Sequence, residues 1–311
     1  MGTPEFAIPS LQALMENGQE IAGVFCQPDK PKGRGNKLTM CPVKEFALAH
    51  GIPVFQPRRI RLDGAQDLAG LKPDLCVTAA FGQILSVDNL SVPKLGTVNV
   101  HASLLPQYRG SAPINWAIIK GETVTGVTTM LPDKGMDTGD ILLQKRFEIE
   151  PDISAGELTE KLSVLGAELL IQTLKKIENG DCPREKQDES KMSYFPMLKK
   201  EMGQIDFSKP AKEICDLVRG INPWPGAYAY CGDELIKIWK ASVQKCGDDH
   251  AGGEIISADA RTGLLVRAGQ DALLIEEMQL PGGKRMLSRD YLRGHTMKEN
   301  RFTRHEDAQE T

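Results

Sequence analysis

Between Gln19 and about Gly180, short apolar runs rich in β-branched residues alternate with helical patterns, and no other feature restricts the fold as much. Strands that alternate with helices pair in parallel, so the expected architecture is an α/β unit with a Rossmann-like, mostly parallel sheet and helices on both faces. Strands are predicted at 21–26, 53–55, 74–79, 97–101, 124–130 and 141–149. Cys41-Pro42 and Ala112-Pro113 open helices that Gly51 and Gly121 close, because proline suits the first helical position and glycine the position after the last. A longer helix over 155–178 gathers Leu158, Leu162, Leu165, Leu169 and Leu170 on one face.

At Cys182 the pattern ends. Residues 182–204 are polar and charged without a sustained period and read as a linker. Beyond them lie a helix at 211–219 and short segments near Tyr228 and at 234–239, 254–257, 264–267 and 273–278, parted by glycine-containing turns. This predicts a small β-rich domain over 205–294, sandwich or barrel. Residues 295–311 are almost wholly polar and read as a mobile tail. A chain of 311 residues suits this division into an α/β domain at 1–181 and a second domain.

With 38 basic and 42 acidic residues the net charge is -4, so any nucleic-acid partner must be met by a local patch. The longest stretches free of charge, between Asp74 and Asp88 and between Lys94 and Arg109, are too short to cross a bilayer, and no membrane association is expected. The start, MGTPEFAIPS, has no basic stretch followed by an apolar one, so no secretory signal is expected. Seven scattered cysteines without a CxxC pair suggest reduced thiols, packed in the interior of a cytoplasmic protein. There is no HExxH, no paired Cys/His spacing and no GxSxG, which disfavours metal hydrolysis and serine-esterase chemistry.

The segment Thr97-Val98-Asn99-Val100-His101, followed by ASLLPQYRGSAP, carries the most chemical information. Alternate residues of a strand share a face, so Asn99 and His101 project together, opposite Val98 and Val100. They fall at the carboxyl end of the strand, where open α/β sheets bind their ligands. A histidine there can act as acid, base or cationic donor, and an asparagine supplies an uncharged donor to a developing oxyanion. A hydrogen-bonded structural histidine beside an asparagine turn fits the same dipeptide. Asp133-Lys134-Gly135-Met136-Asp137-Thr138-Gly139-Asp140, between two predicted strands, supplies carboxylates on a tight turn, one of which could orient His101.

The loop at 27–37 carries Lys30, Lys32, Arg34 and Lys37 against Asp29, which suits a phosphate clamp as well as a solvated surface. It lacks the third glycine of a dinucleotide fingerprint and the Gly-Lys-Ser/Thr of a P-loop. A second basic group, Lys284, Arg285, Arg289, Arg293, Lys298, Arg301 and Arg304, faces only Asp290 and Glu299 in that stretch.

Asn99-x-His101, Ser103-Leu104-Leu105-Pro106, Tyr108-Arg109-Gly110 and Asp137 together resemble the folate-dependent formyltransferases. GTPEFA at 2–7, QPDKPKGRG with PVK at 42–44, NPWPGAY at 222–228 and GGKRM at 282–286 are similar to the members that act on an aminoacylated tRNA, and the likeness runs from Gly2 to about Gly294. The resemblance implies formyl transfer from 10-formyltetrahydrofolate, a co-substrate, to the α-amino group of methionyl initiator tRNA, without a metal. It implies that Asn99, His101 and Asp137 are catalytic, that Ser103, Leu104, Leu105 and Pro106 belong to the folate site, and that Lys30, Lys32, Arg34 and Lys37 grip the acceptor arm. The C-terminal domain, an OB-like barrel, would bind the tRNA body, with Lys284 and Arg285 among its contacts, and a monomer is expected. A sugar-nucleotide N-formyltransferase is the nearest rival, followed by an inactive tRNA-binding homologue. The family carries a short apolar strand ahead of GTPEFA, whereas here Met1 directly precedes Gly2. A sheet short of one interior strand is therefore expected, from a start further upstream or an impaired product. Tyr108 also stands where these tRNA enzymes often carry Trp.

Overall fold

The strand predicted over 97–101 forms over Thr97–His101 and lies inside a four-stranded sheet. The computed structural model describes residues 1–32, 35, 37–247 and 249–304. Its backbone divides into two units: Met1–Pro113, Val124–Glu148 and Thr159–Phe195 form the first, and Ile114–Thr123, Ile149–Leu158 and the chain from Pro196 onward form the second. In chain order the elements up to Phe195 are α1 (Ile8–Glu16), β1 (Val24–Phe25), β2 (Lys30–Lys32), β3 (Lys37–Thr39), α2 (Pro42–Ala49), β4 (Val54–Phe55), α3 (Ala65–Gly70), β5 (Cys76–Ala79), α4 (Val87–Ser91), β6 (Thr97–His101), β7 (Arg109–Gly110), α5 (Pro113–Ile119), β8 (Val124–Met130), β9 (Ile141–Glu148), α6 (Ala155–Asn179) and β10 (Tyr194–Phe195).

Parallel pairing joins β1 to β4 and β5 to β6. At the sheet's other end β8 runs antiparallel to both β6 and β9, the latter because the turn at 131–140 joins the two strands directly, so this sheet is mixed rather than mostly parallel. Where the resemblance predicts a further interior strand, Met1 and Gly2 lie between β1 and β5. The Gly2 amide donates to Phe25 O (3.0 Å), the Met1 amine donates to Val77 O (2.7 Å), and the Ala79 amide donates to Met1 O (3.0 Å). These two residues are what the described chain places there.

Val98 and Val100 are buried on the face that α6 covers. At Gly166 of α6 a Cβ would lie 2.8 Å from Val100 Cγ1, so only glycine lets the helix come this close. The opposite face of β6 is left to Thr97, Asn99 and His101.

Residues 182–204, read above as a linker, are divided between the units. Tyr194 and Phe195 pair in parallel with Arg109 and Gly110, and the Phe195 ring stacks on Tyr108 at 4.9 Å between centroids. A two-residue strand is too short to leave a period in the sequence.

The second unit continues with α7 (Ala211–Gly220), β11 (Ala227–Cys231), β12 (Glu234–Gln244), β13 (Ile255–Asp259), β14 (Gly263–Arg267), β15 (Ala272–Gln279), β16 (Met286–Leu287), α8 (Ser288–Leu292) and β17 (Phe302–Thr303). Its strands form one antiparallel sheet in the order β13-β14-β15-β12-β11-β17, with β16 against β15. The two outer edges also meet: the Ile255 amide donates to Asn300 O (2.8 Å) and the Phe302 amide to Gly253 O (2.7 Å). The sheet thus curls onto itself as an OB-like barrel should. Ile238, Leu264, Val266, Leu273 and Ile275 fill its core.

One expectation is corrected here. The tail read from 295 onward includes Phe302, which is 1% exposed and pairs with β11. A single aromatic anchor in a polar stretch gives no periodic signal, yet it completes the barrel. Among the described residues no helix is long and apolar enough to cross a membrane. Phe302→Ala should cost the second unit about 3–5 kcal/mol, read as a lower urea midpoint for its transition. A loss under about 1 kcal/mol would show that β17 is not part of its core.

Candidate active site

Asn99 sits in mid-strand, between Thr78 of β5 and Met130 of β8. The Thr78 hydroxyl donates to Asn99 Oδ1 at 2.7 Å. With its carbonyl end engaged, the amide presents Nδ2 as the available donor.

Two positions along, His101 is 6% exposed. Its Nε2 lies 3.0 Å from the Tyr108 carbonyl oxygen. A carbonyl only accepts, so this nitrogen carries hydrogen, and Nδ1 is the atom left for chemistry. Nδ1 faces Asp137 Oδ1 at 3.7 Å, within ion-pair reach but beyond a hydrogen bond. The sequence suggested that a carboxylate would orient the imidazole; the Tyr108 carbonyl does so, and Asp137 adds negative charge beside it. Asp137 is itself held, because the Gly110 amide donates to its Oδ2 at 2.9 Å.

The Asp137 turn is built for this placement. Asp133 Oδ1 accepts from the Gly135 amide (2.9 Å) and the Thr138 hydroxyl (2.6 Å). At Gly139 a Cβ would sit 1.7 Å from Leu131 O, which no other residue survives. Asp137 has φ of 56° and Tyr108 has φ of 59°, both in the left-handed region that L-residues rarely occupy. Neither residue's sequence neighbourhood announces this.

The turn after β6 is stapled to β8 and β9. Thr128 Oγ1 donates to Ser103 O (2.6 Å) and accepts from the Leu105 amide (3.2 Å), while Gln144 Nε2 donates to Leu105 O (2.9 Å). Ser103 and Leu105 are buried, with the Ser103 hydroxyl donating to Gln107 O at 2.7 Å. Leu104 and Pro106 are half-buried and Gln107 is exposed.

The basic candidates fall on both units. Lys30 and Lys37 are exposed on the β2–β3 hairpin, to which Lys32 also belongs; Lys30 Nζ donates to Gln27 Oε1 at 2.8 Å. Arg34 lies outside the described residues. In the second unit, Lys284 and Arg285 are exposed just ahead of β16. Arg285 pairs with Glu277 and lies over the Trp239 ring at 5.6 Å, with Lys237 over the same ring at 5.4 Å.

Sequence reasoning missed Thr78 and Gln187. Gln187 Nε2 donates to the carbonyls of Asp137 (2.7 Å) and Gly139 (2.8 Å). Thr78 is a polar residue inside an apolar run, the one signal that could have drawn notice. Among the described residues no three His, Cys, Asp or Glu side chains gather as metal ligands.

Comparison with known proteins decides what this arrangement belongs to. Residues 1–174 match the formyl transferase family and residues 197–296 match its C-terminal domain. The chain belongs to the formyl transferase family. It is 50% identical over 298 residues to a methionyl-tRNA formyltransferase of Clostridioides difficile, covering 96% of each chain. To that of Ruminiclostridium cellulolyticum it is 49% identical, covering 95% of each. An N-formyltransferase from Helicobacter canadensis, solved with folinic acid and dTDP-3-aminofucose, shares the fold at a TM-score of 0.66 and 21% identity, with 92% of this chain and 97% of that one covered.

For this formyltransferase, Thr78→Val should keep the fold and lower the formyl-transfer rate about 3- to 10-fold, the worth of one orienting hydrogen bond. Thr78→Ser should restore it. Equal rates in all three proteins, measured at saturating substrate, would show that Asn99 needs no such support.

Proposed function

We propose that this protein transfers a formyl group from 10-formyltetrahydrofolate to the α-amino group of methionyl initiator tRNA, in translation initiation. One observation carries this reading. Asn99 in the middle of β6 and His101 at its carboxyl end project from one face, with Asp137 3.7 Å from the imidazole, in a chain about half identical along its length to proteins named for that reaction. A sugar-nucleotide N-formyltransferase is the weaker alternative, since the solved sugar enzymes share only 21% and 22% identity with this chain.

The residues present fit a folate formyl donor. Asn99 Nδ2 is a donor whose own amide carbonyl is already engaged, and Leu104 and Pro106 in the turn after β6 are half-buried apolar side chains. When bound, the folate would supply a formyl group whose carbon an amine attacks, with N10 as the leaving group. As the methionyl amine attacks, negative charge grows on the formyl oxygen, and Asn99 Nδ2 donates to it without itself carrying charge. His101 exchanges a proton through Nδ1, because Nε2 is committed to Tyr108, and Asp137 stabilises the imidazolium while it lasts. One proton leaves the amine and one is delivered to N10, so the His101–Asp137 pair ends the cycle as it began.

The basic segment at 30–37, with Lys30, Lys32, Arg34 and Lys37, grips the acceptor arm in this reading, and the barrel of the second unit binds the tRNA body through residues that include Lys284 and Arg285. In this reading the protein acts as a monomer in the cytoplasm.

Asn99→Ala and His101→Ala should each lower turnover about 100-fold or more while thermal unfolding stays close to that of the parent chain. Near-normal formylation of charged initiator tRNA by either variant would dismiss the assignment. Replacing Arg34 and Lys37 by Ala should weaken tRNA use and flatten its salt dependence by about one unit of slope per lost phosphate contact, leaving folate affinity alone. Collapse of folate binding instead would assign the segment to the other substrate.

A further inference from the structure

Arg109, 3% exposed, is the residue between the two main-chain groups that hold the site, the Tyr108 carbonyl and the Gly110 amide, and its side chain carries a buried guanidinium. Its Nε and Nη2 donate to Gln187 Oε1 at 3.0 and 2.8 Å. Its Nη1 and Nη2 also donate to the two carboxylate oxygens of Glu189 at 3.0 and 2.8 Å, and these bonds hold that carboxyl below the usual glutamate range. Gln187 uses its other end on the Asp137 turn, where Nε2 reaches the carbonyls of Asp137 and Gly139.

We infer that Gln187 is a positioning residue for formyl transfer, fixing the Asp137 carboxylate beside His101 by tying the main chain of the Asp137 turn to Arg109. The role in turnover rests on the reading given under Proposed function; the role in placement stands on the hydrogen bonds alone. An amide suits the task because one planar group offers an acceptor to the guanidinium and two hydrogens to the carbonyls. Asp137 is in a left-handed conformation that needs holding, and its turn is otherwise secured to β7 by the Gly110 bond. Glutamate at 187 would still receive the Arg109 hydrogen bonds but would set a carboxylate oxygen against two carbonyl oxygens. Gln187→Glu therefore separates placement of Asp137 from mere satisfaction of a buried cation.

The test uses the full chain. With methionyl initiator tRNA and 10-formyltetrahydrofolate, Gln187→Glu should lower kcat about 30- to 100-fold and leave both KM values within about threefold, as expected for a misplaced catalytic group. In an Asp137→Ala background the same change should cost less than about twofold, because the group it positions is gone. A second readout does not depend on turnover. The chain has five histidines, and in 15N spectra the His101 ring resonance, assigned by its loss in His101→Gln, should move in Gln187→Glu as it does in Asp137→Ala, while that of His50 stays. An unmoved His101 resonance, a kcat within threefold of the parent, or full additivity with Asp137→Ala would each overturn the inference. If the parent chain itself forms no formyl-methionyl-tRNA, the proposed reaction falls, and the spectra alone decide whether Gln187 places Asp137. Should Gln187→Glu fail to fold, Gln187→Met is put through the same three measurements.

Discussion

The imidazole of His101 and the carboxylate of Asp137 are held by a carbonyl and an amide only two residues apart, those of Tyr108 and Gly110. The two anchors belong to the peptide units on either side of Arg109, so their separation is set by the backbone conformation at Arg109, which pairing with Tyr194 and Phe195 holds. Their strand, β7, is in turn braced by β10 and by the stacked rings of Tyr108 and Phe195. The turn leading to it is fastened through Thr128 and Gln144. This frame decides which imidazole nitrogen faces Asp137, while Thr78 separately orients Asn99.

Such a frame is demanding because it places polar groups where water is largely excluded. Thr78, His101, Ser103, Arg109 and Thr128 are all buried, and each makes hydrogen bonds within the first unit. A buried polar group without a partner costs about 1–3 kcal/mol, so a network this dense is stable only when nearly complete. The opposite face of β6 supplies the compensating apolar burial, with Val98 and Val100 under α6. Left-handed backbone at Tyr108 and Asp137 adds a further cost of about 1–2 kcal/mol each, a pattern typical of sites where geometry matters more than local comfort.

The second unit follows a different logic. An antiparallel barrel needs its edges joined, and the short β17 joins them with Phe302 as its anchor. The exposed GGKRM segment and the Trp239 ring, flanked by Arg285 and Lys237, then form a cationic and aromatic surface. In the proposed reading this surface, where Arg285 is paired with Glu277, meets the tRNA body.

Local periodicity determined much of this protein directly. Alternation over 97–101 told which residues of β6 face together, β8 followed from a β-branched run, α2 and α5 from proline and glycine, and α6 from its leucine spacing, while the resemblance carried by Asn99 to Gly110 with Asp137 pointed to the chemistry. These signals arise from interactions among near neighbours, which a sequence displays. Tertiary structure alone decided that Thr78 engages Asn99 from 21 residues away, that Gly110 engages Asp137 across 27, that Gln187 reaches Asp137 across 50, and that Phe302 belongs to a core. Such partners depend on strand register and on where distant turns meet. No local pattern encodes those, because they are settled only when the whole chain minimises its unsatisfied polar groups and its exposed apolar surface together.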